Sequence, residues 1–351
     1  MNLTRLAARW EQRQRELAGL EQQERLAAHL KEPLELVSVR EHVDLSCAAA
    51  EVWQFVVDPG NAALLDEDPG ALSFTVPGTP AGRVGERQCT LSHRFDGALI
   101  GRVEEITDLV PGSRIVARSL STMHLSAGAL EISAGTVGGA GSCRLTYEMS
   151  AEVHPDQAPA FRVDARRAAR RMLARAAHAL DGRPLVLEPG PPARQPDSRH
   201  EAREVVLVVA HAEVECSAPA GRVWDFVLAA SNDRLDSFDP EAISFGLPGA
   251  PAGGVGELRC VIVHSVTGAL VAMVQEVTGI DPGRSFVTRS RSLTHAARTT
   301  TVVEALGNGT RLSTRLELEV HPDEAGSAQR RFTAGAAHHL EAVRRHLEAS
   351  G

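Results

Sequence analysis

An internal duplication constrains the fold of this chain more than any other feature. Residues 46–124 align with residues 217–295 without a gap, and close to half of the paired positions are identical. A repeat of this length exceeds the unit of a solenoid and suits two whole domains in tandem. The identities mark positions that both copies have kept since the duplication, whether for packing or for chemistry.

Composition places the chain among ordinary globular proteins. Its 351 residues are 43% hydrophobic and carry a formal net charge of -8, which allows two cores and argues against general nucleic-acid binding. No apolar run is long enough to span a membrane, and the charged N-terminus does not resemble a secretory signal. The five cysteines form no CxxC pair, so we expect a cytoplasmic protein without a disulfide framework.

Each copy shows the same predicted order of elements. A short strand leads into a helix, several strands separated by Gly and Pro turns follow, and an amphipathic helix closes the copy. A long helix over about residues 3–31 precedes the first copy, and a proline-rich segment joins the two. The predicted parts are therefore an N-terminal helix over 1–35, a first domain over 36–181, a linker over 182–204 and a second domain over 205–351.

The most specific motif surrounds the first helix of each copy. Val52, Trp53, Phe55 and Val56 recur as Val223, Trp224, Phe226 and Val227, and a Pro-Gly hairpin precedes both Val116 and Val287. With the long closing helix, this pattern resembles the START-like (SRPBCC), or polyketide cyclase/Bet v 1-like, superfamily. The resemblance implies an α+β fold of two tandem helix-grip domains, in which a curved antiparallel sheet wraps a long C-terminal helix and binds apolar ligands. Tandem copies are also similar to the di-domain aromatase/cyclases of aromatic polyketide pathways.

The turn residues predict how the strands pair. A two-residue hairpin at Asp96-Gly97 pairs His93 with Ile100. A tight turn at the next Pro-Gly pairs Glu105 with Arg118, and the equivalent residues pair in the second copy. We interpret these Glu-Arg pairs as exposed ion pairs on the outer surface of each sheet.

Alternation along the same strands gives one mostly apolar face, which we expect to be concave and to contact a ligand. The predicted ligand-binding residues of this face are Cys89, Leu91, Ser119 and Ser121 in the first copy, and Cys260, Ile262, Ser290 and Ser292 in the second. His93 and His264 share the face and are the candidate catalytic bases, because a neutral imidazole accepts protons near neutral pH. The alternative for both is a histidine that only satisfies a neighbouring hydroxyl or carbonyl group. No metal site is expected, since Cys89 and His93 are about 13 Å apart along an extended strand.

Arginines crowd the helix that closes the first copy. They are Arg162, Arg166, Arg167, Arg170, Arg171 and Arg175. The simpler interpretation is a solvated helical face. The alternative is a surface for an anionic partner such as an acyl-carrier protein, although the closing helix of the second copy does not repeat this density.

These observations favour binding of an apolar or polyketide-like small molecule in one or both cavities. If the chain is an enzyme, we expect a cofactor-free cyclisation, aromatisation or dehydration, with a histidine as base and serine hydroxyls holding carbonyl oxygens. The alternatives are a non-catalytic carrier or sensor of lipids, and a protein that recruits a partner through its N-terminal helix.

Overall fold

The computed structural model describes residues 32–94, 97–135, 141–187, 205–236, 239, 241–265, 268–293 and 296–349. The predicted N-terminal helix and most of the predicted linker lie outside these residues. Within the described ranges, no helix combines the length and the apolar character needed to cross a membrane.

The first domain is an antiparallel sheet with three helices on one side. Its strands are β1 (Glu35–Leu45), β2 (Leu72–Thr75), β3 (Arg87–His93), β4 (Leu99–Val110), β5 (Arg114–Ser119), β6 (Ser126–Ala134) and β7 (Cys143–Val153), and its helices are α1 (Ala49–Val57), α2 (Pro59–Leu65) and α3 (Ala158–Asp181). The strands follow the order β1-β7-β6-β5-β4-β3-β2. The long helix α3 packs mainly on β1 and β7.

The second domain repeats this arrangement. Its strands are β8 (Val206–Cys216), β9 (Ile243–Gly246), β10 (Leu258–His264), β11 (Leu270–Asp281), β12 (Ser285–Ser290), β13 (Ala297–Leu306) and β14 (Gly309–Val320), and its α-helices are α4 (Ala220–Leu228) and α5 (Ala325–Ala349). A 3-10 helix, Ala230–Asp236, stands where the first domain has α2. Helix α5 packs mainly on β8 and β14. The predicted α+β helix-grip fold is confirmed in both copies.

The motif around the first helix of each copy forms part of the hydrophobic core. Val52 and Val223 are fully buried between their helix, the closing helix and the sheet. The Trp224 ring packs edge-on against the Phe286 ring, with centroids 6.2 Å apart. Burying a side chain of this size stabilises the fold by roughly 1.5–3 kcal/mol, which explains why both copies keep the motif.

The two sheets are continuous across the domain boundary, where β4 pairs with β11. The Leu99 N–H donates to the Arg291 carbonyl at 2.7 Å, and the Leu270 N–H donates to the Leu120 carbonyl at 2.7 Å. Leu99 and Leu270 are equivalent positions of the repeat, as are Leu120 and Arg291. The boundary is therefore isologous, and a pseudo-twofold axis passes between β4 and β11.

The predicted hairpin at Asp96-Gly97 is wrong by one residue. The Arg94 N–H donates to the Ala98 carbonyl at 2.9 Å, so three residues form the loop instead of two. Gly97 has φ +79°, the left-handed conformation that ends a three-residue hairpin loop. As a result, His93 pairs with Leu99 and not with Ile100.

The predicted pairing of Glu105 with Arg118 is confirmed, with a 2.9 Å ion pair between their side chains. The turn between β4 and β5 contains three residues instead of the predicted two, which shifts the pairing by one residue next to the turn. A bulge at Thr107 shifts it back, so that Glu105 and Arg118 pair as predicted. In the second copy, Glu276 faces Arg289 in the register but pairs with Arg291 at 3.6 Å.

Candidate functional site

The first domain contains a cavity of about 700 Å³ between its sheet and its helices. This volume lies within the range of small-molecule sites, about 300–1,000 Å³. Strands β3, β4 and β5 provide its main polar lining, which consists of Gln88, Thr90, Ser92, Arg102, Glu104 and Ser119. Helices α1 and α3 and strands β5 to β7 provide its main apolar lining, which consists of Phe55, Val56, Ile115, Leu130, Met149 and Met172.

The cavity has an inner end and an outer end. At the inner end, Ile115, Leu130 and Tyr147 lie side by side on β5, β6 and β7. Ile115 is buried there, and burial raises the pKa of the Tyr147 hydroxyl to about 12. At the outer end, near the domain boundary, the lining residues Ile100 and Thr122 are exposed. The outer end of the cavity is therefore open to solvent.

Seven of the eight predicted ligand-binding residues do not line this cavity, and four of the seven lie in the core between the two domains. Cys89, Leu91, Cys260 and Ile262 are at most 2% exposed and belong to the core between the two domains. The register error inverted the faces of β3, because a shift of one residue moves every side chain of a strand to the other face. The polar residues that alternate with Cys89 and Leu91 along β3, which are Gln88, Thr90 and Ser92, line the cavity instead.

The two inner cysteines meet across the pseudo-twofold axis. The Cys89 thiol, together with burial, raises the pKa of Cys260 far above its usual range. A thiol held in its neutral form is a poor nucleophile and a poor metal ligand, so this pair acts as small apolar packing. Among the described residues, no group of three or more His, Cys, Asp or Glu side chains is arranged to hold a metal ion.

The predicted serines have different positions. Ser119 lines the cavity, and its hydroxyl also accepts the Ser121 N–H at 3.3 Å. The Ser121 hydroxyl accepts a backbone N–H of β4 at 2.8 Å. In the second copy, the Ser290 hydroxyl likewise accepts the Ser292 N–H, and Ser292 donates to a β4 carbonyl across the domain boundary at 2.6 Å. Ser121 and Ser292 therefore hold strands together, and Ser119 is the serine of this set that lines the cavity.

His93 lies at the outer end of the cavity and is held by Asp68. The His93 Nδ1 atom is 2.8 Å from the Asp68 carboxylate, which also accepts the His93 N–H at 2.6 Å. The backbone N–H groups of His93 and Gly70 lower the pKa of Asp68, so the carboxylate stays charged beside the ring. An Nδ1–H bonded to a carboxylate leaves Nε2 as the ring nitrogen that can accept a proton.

The same pair occurs in the second copy, between His264 and Asp239. The two distances there are 2.9 Å to Nδ1 and 2.7 Å to the backbone N–H. The sequence analysis missed both aspartates, although Asp68-Pro69 and Asp239-Pro240 are retained in the two copies. The His-Asp pair thus anchors the loop before β2 in the first domain and the loop before β9 in the second. In the first domain the pair also lines the cavity.

The space equivalent to the cavity is crossed by Arg259 in the second domain. Arg259 replaces Gln88 of the first domain and has a fully buried side chain. Its guanidinium bonds to the Glu257 carboxylate at 2.7 and 2.8 Å, to Asp233 at 3.3 Å and to a carbonyl of α4 at 2.6 Å. It also lies 5.5 Å from the centre of the Phe286 ring, which stands where Ile115 forms the inner end of the first cavity.

The arginines of α3 are mostly paired within their own domain. Arg162 pairs with Glu35, Arg166 and Arg170 with Glu41, Arg167 with Asp164, and Arg171 with Glu67. Exposed pairs of this kind contribute about 0–1 kcal/mol each. Arg175 differs from these five, because it lines the cavity.

Residues 37–183 match a family model described as polyketide cyclase / dehydrase and lipid transport. The first domain matches this family. The match runs from β1 to just beyond α3 and confirms the predicted resemblance to START-like polyketide cyclases. No curated protein matches the chain by sequence.

Several solved structures match the chain at low identity. The di-domain ARO/CYC StfQ from the steffimycin biosynthetic pathway is 12% identical over 89% of this chain and 99% of its own, with a TM-score of 0.36. The di-domain ARO/CYC BexL from the BE-7585A pathway is 15% identical over 89% and 99%, with a TM-score of 0.35. A START superfamily protein from Mycobacterium smegmatis is 15% identical over 41% and 99%, with a TM-score of 0.35. Likenesses at these scores carry no weight for what this chain binds.

Proposed function

We propose that the first domain binds an extended, polyketide-like molecule and catalyses its cyclisation or dehydration without a cofactor. The observation that carries this proposal is the cavity itself, with an apolar wall from the helices and β5 to β7, a polar wall from β3 to β5 and a His-Asp pair at its outer end. The family match over the same residues supports the ligand class. The five free thiols of the chain suit the reducing cytoplasm in which we propose that it acts.

The proposed chemistry uses His93 as a general base. The imidazole removes a proton from a carbon between two carbonyl groups, and the resulting enolate carbon attacks a second carbonyl carbon of the same molecule. A carbon-carbon bond forms, and the imidazolium returns its proton to the new alkoxide. Asp68 orients the ring, while the cavity walls hold the flexible chain in a reactive shape. Loss of water from the alcohol would complete a dehydration.

A second candidate function is the carriage of lipids or other apolar molecules without catalysis. The observation that favours it is the second His-Asp pair, which has the same geometry beside the space that Arg259 crosses. If the pair is kept only to anchor a loop, the first cavity needs no base. Delivery of the substrate by an acyl-carrier protein and recruitment of a partner through residues 3–31 stay predictions from sequence.

The experiment that tests catalysis compares His93→Ala with His264→Ala, using a synthetic linear poly-β-ketone thioester as substrate. We expect His93→Ala to lower turnover by roughly 100-fold or more, as general-base removal does, while ligand binding persists. His264→Ala is the matched control, because it loses the same loop anchor at the other copy. Equal activity of both variants and the unaltered chain would refute catalysis by His93 and favour the carrier. Native mass spectrometry of the protein from its own host would identify what the cavity holds.

A further inference from the structure

Helix α3 presents Ala168, Met172 and Arg175 to the cavity, at spacings of four and three residues that place them on one face. The helix runs back along β7, and Asp181 at its end accepts the Ser46 N–H at 3.1 Å. This contact fixes the end of α3 beside the start of β7 and the end of β1. Of the three residues, Arg175 therefore lies nearest the inner end of the cavity.

Arg175 brings a positive charge to this inner end. Its Nη1 atom is buried and has no hydrogen-bond partner among the described residues. An arginine side chain keeps its charge in proteins, and an unsatisfied buried donor is costly. The five other arginines of the helix each have a carboxylate partner. The Nε atom of Arg171 is also buried without a hydrogen-bond partner among the described residues, but of the six arginines it is Arg175 that lines the cavity.

We infer that the inner end of the cavity is an oxyanion subsite, in which Arg175 holds a carboxylate or enolate oxygen of the ligand. The inference rests on the proposed function and adds an orientation: the anionic end enters first and the remainder of the molecule extends past Met172 toward His93. The closing helices align from the His-Pro-Asp triplets that precede them, at 154–156 and 321–323. In this alignment Ala342 of α5 is the equivalent of Arg175, so the second domain lacks the subsite.

The test uses the full chain and two probes of nearly equal shape, 2-naphthoate and its neutral methyl ester. Calorimetry should show the acid binding at least about tenfold more tightly than the ester, since hydrogen bonds to charged groups contribute that much. Arg175→Met should weaken acid binding roughly 10- to 100-fold and change ester binding by less than about threefold. Arg175→Lys should keep part of the preference. Arg170→Met is the matched control, because Arg170 lies on the same helix and pairs with Glu41 outside the cavity.

Equal affinity of the two probes for the unaltered chain would overturn the subsite, and so would an acid preference that survives in Arg175→Met. Either result leaves the cavity as a binding site. Failure of both probes to bind the unaltered chain would instead count against the proposed function. If Arg175→Met fails to fold by circular dichroism, Arg175→Gln and the acid-to-ester ratio of the unaltered chain decide the question.

Discussion

The two domains have the same arrangement of strands and helices, but different side chains occupy the space between the sheet and the helices. Gln88, Thr90 and Ser92 line the cavity of the first domain, and their equivalents in the second are Arg259, Val261 and Val263. Arg259 and Val261 are buried, whereas Gln88 and Thr90 remain partly accessible. The residues that both copies have kept belong mostly to the domain boundary, the turns and the loop anchors. Retention since duplication has therefore preserved the boundary between the domains and the His-Asp pairs, whereas the β3 wall of the cavity has diverged.

A buried glutamate shows how the two interiors are balanced. In the first domain, Glu86 accepts the Thr75 hydroxyl at 2.5 Å. In the second, the equivalent Glu257 is bound by Arg259, and Gly246 replaces the threonine. In the first domain the carboxylate also accepts the Gly82 N–H at 2.7 Å and the Gln88 amide at 3.3 Å. The equivalent carboxylate is thus satisfied by neutral donors in the first domain and by a cation in the second.

The largest expected effect on stability comes from Arg259→Gln. This substitution places in the second domain the residue that the first domain has at the equivalent position, Gln88. The change leaves Glu257 without its cation, and we expect a loss of about 3–5 kcal/mol in the free energy of unfolding. Urea denaturation followed by fluorescence measures it. Adding Gly246→Thr should recover part of the loss, because a hydroxyl then faces the carboxylate as in the first domain.

The control for Arg259→Gln is Gln88→Ala. It removes a 3.3 Å hydrogen bond to Glu86 but leaves the bonds from Thr75 and Gly82, so it should cost less than about 1 kcal/mol. A comparable loss in both variants would show that the two interiors do not differ as described.

A smaller effect is expected at the joint that the domains share. Gly101 and Ala272 occupy equivalent positions on the pseudo-twofold axis. A Cβ atom at 101 would overlap that of Ala272 and come within 2.9 Å of the Leu91 side chain. Gly101→Ala should therefore cost about 1–3 kcal/mol through overpacking, measured by the same denaturation.

Ala272→Gly removes a methyl group at the same contact and should cost only about 1 kcal/mol. If Gly101→Ala has the same free energy of unfolding as the unaltered chain, that result would contradict the close contact between β4 and β11.

The smallest expected effect tests whether the first domain binds a ligand and the second does not. Ile115→Phe with Ala117→Thr gives the first cavity the residues of the second domain, Phe286 and Thr288. The added volume should weaken binding of methyl 2-naphthoate by roughly tenfold, since one or two methylenes of fit are worth that much in a pocket. Calorimetry gives both affinity and stoichiometry.

The reciprocal change, Phe286→Ile with Thr288→Ala, should leave the stoichiometry at one probe per chain, because Arg259 still crosses the second domain. Two probes bound to the unaltered chain would contradict the assignment of binding to the first domain alone.

Much of the fold could be predicted from sequence because it depends on residues with strong local preferences. Val52, Trp53 and the Gly and Pro turns specify helices, strands and their order in both copies. The ion pair of Glu105 and Arg118 was also predicted, although a three-residue turn and the bulge at Thr107 offset each other to produce it.

The site was harder to predict because it depends on single-residue register and on burial. One extra residue in the loop before Ala98 moved Cys89 from the expected cavity wall to the domain boundary. His93 was assigned to the cavity by the same incorrect register, and it lines the rim where β3 ends. Arg175 belongs to a run of arginines that look alike in sequence, and only the packing of α3 separates it from the rest.

The pseudo-twofold joint has a consequence for how such a chain can evolve. A homodimer of one such domain would carry every substitution on both sides of its axis, so an arginine that filled one cavity would fill the other as well. Linking the halves in a single chain removes that constraint, because each half then changes by itself. Arg259 can stabilise one half while Gln88 leaves room in the other. In the terms of enzyme evolution, the fusion allows one half to specialise as a scaffold so that the other remains free to adapt to its ligand.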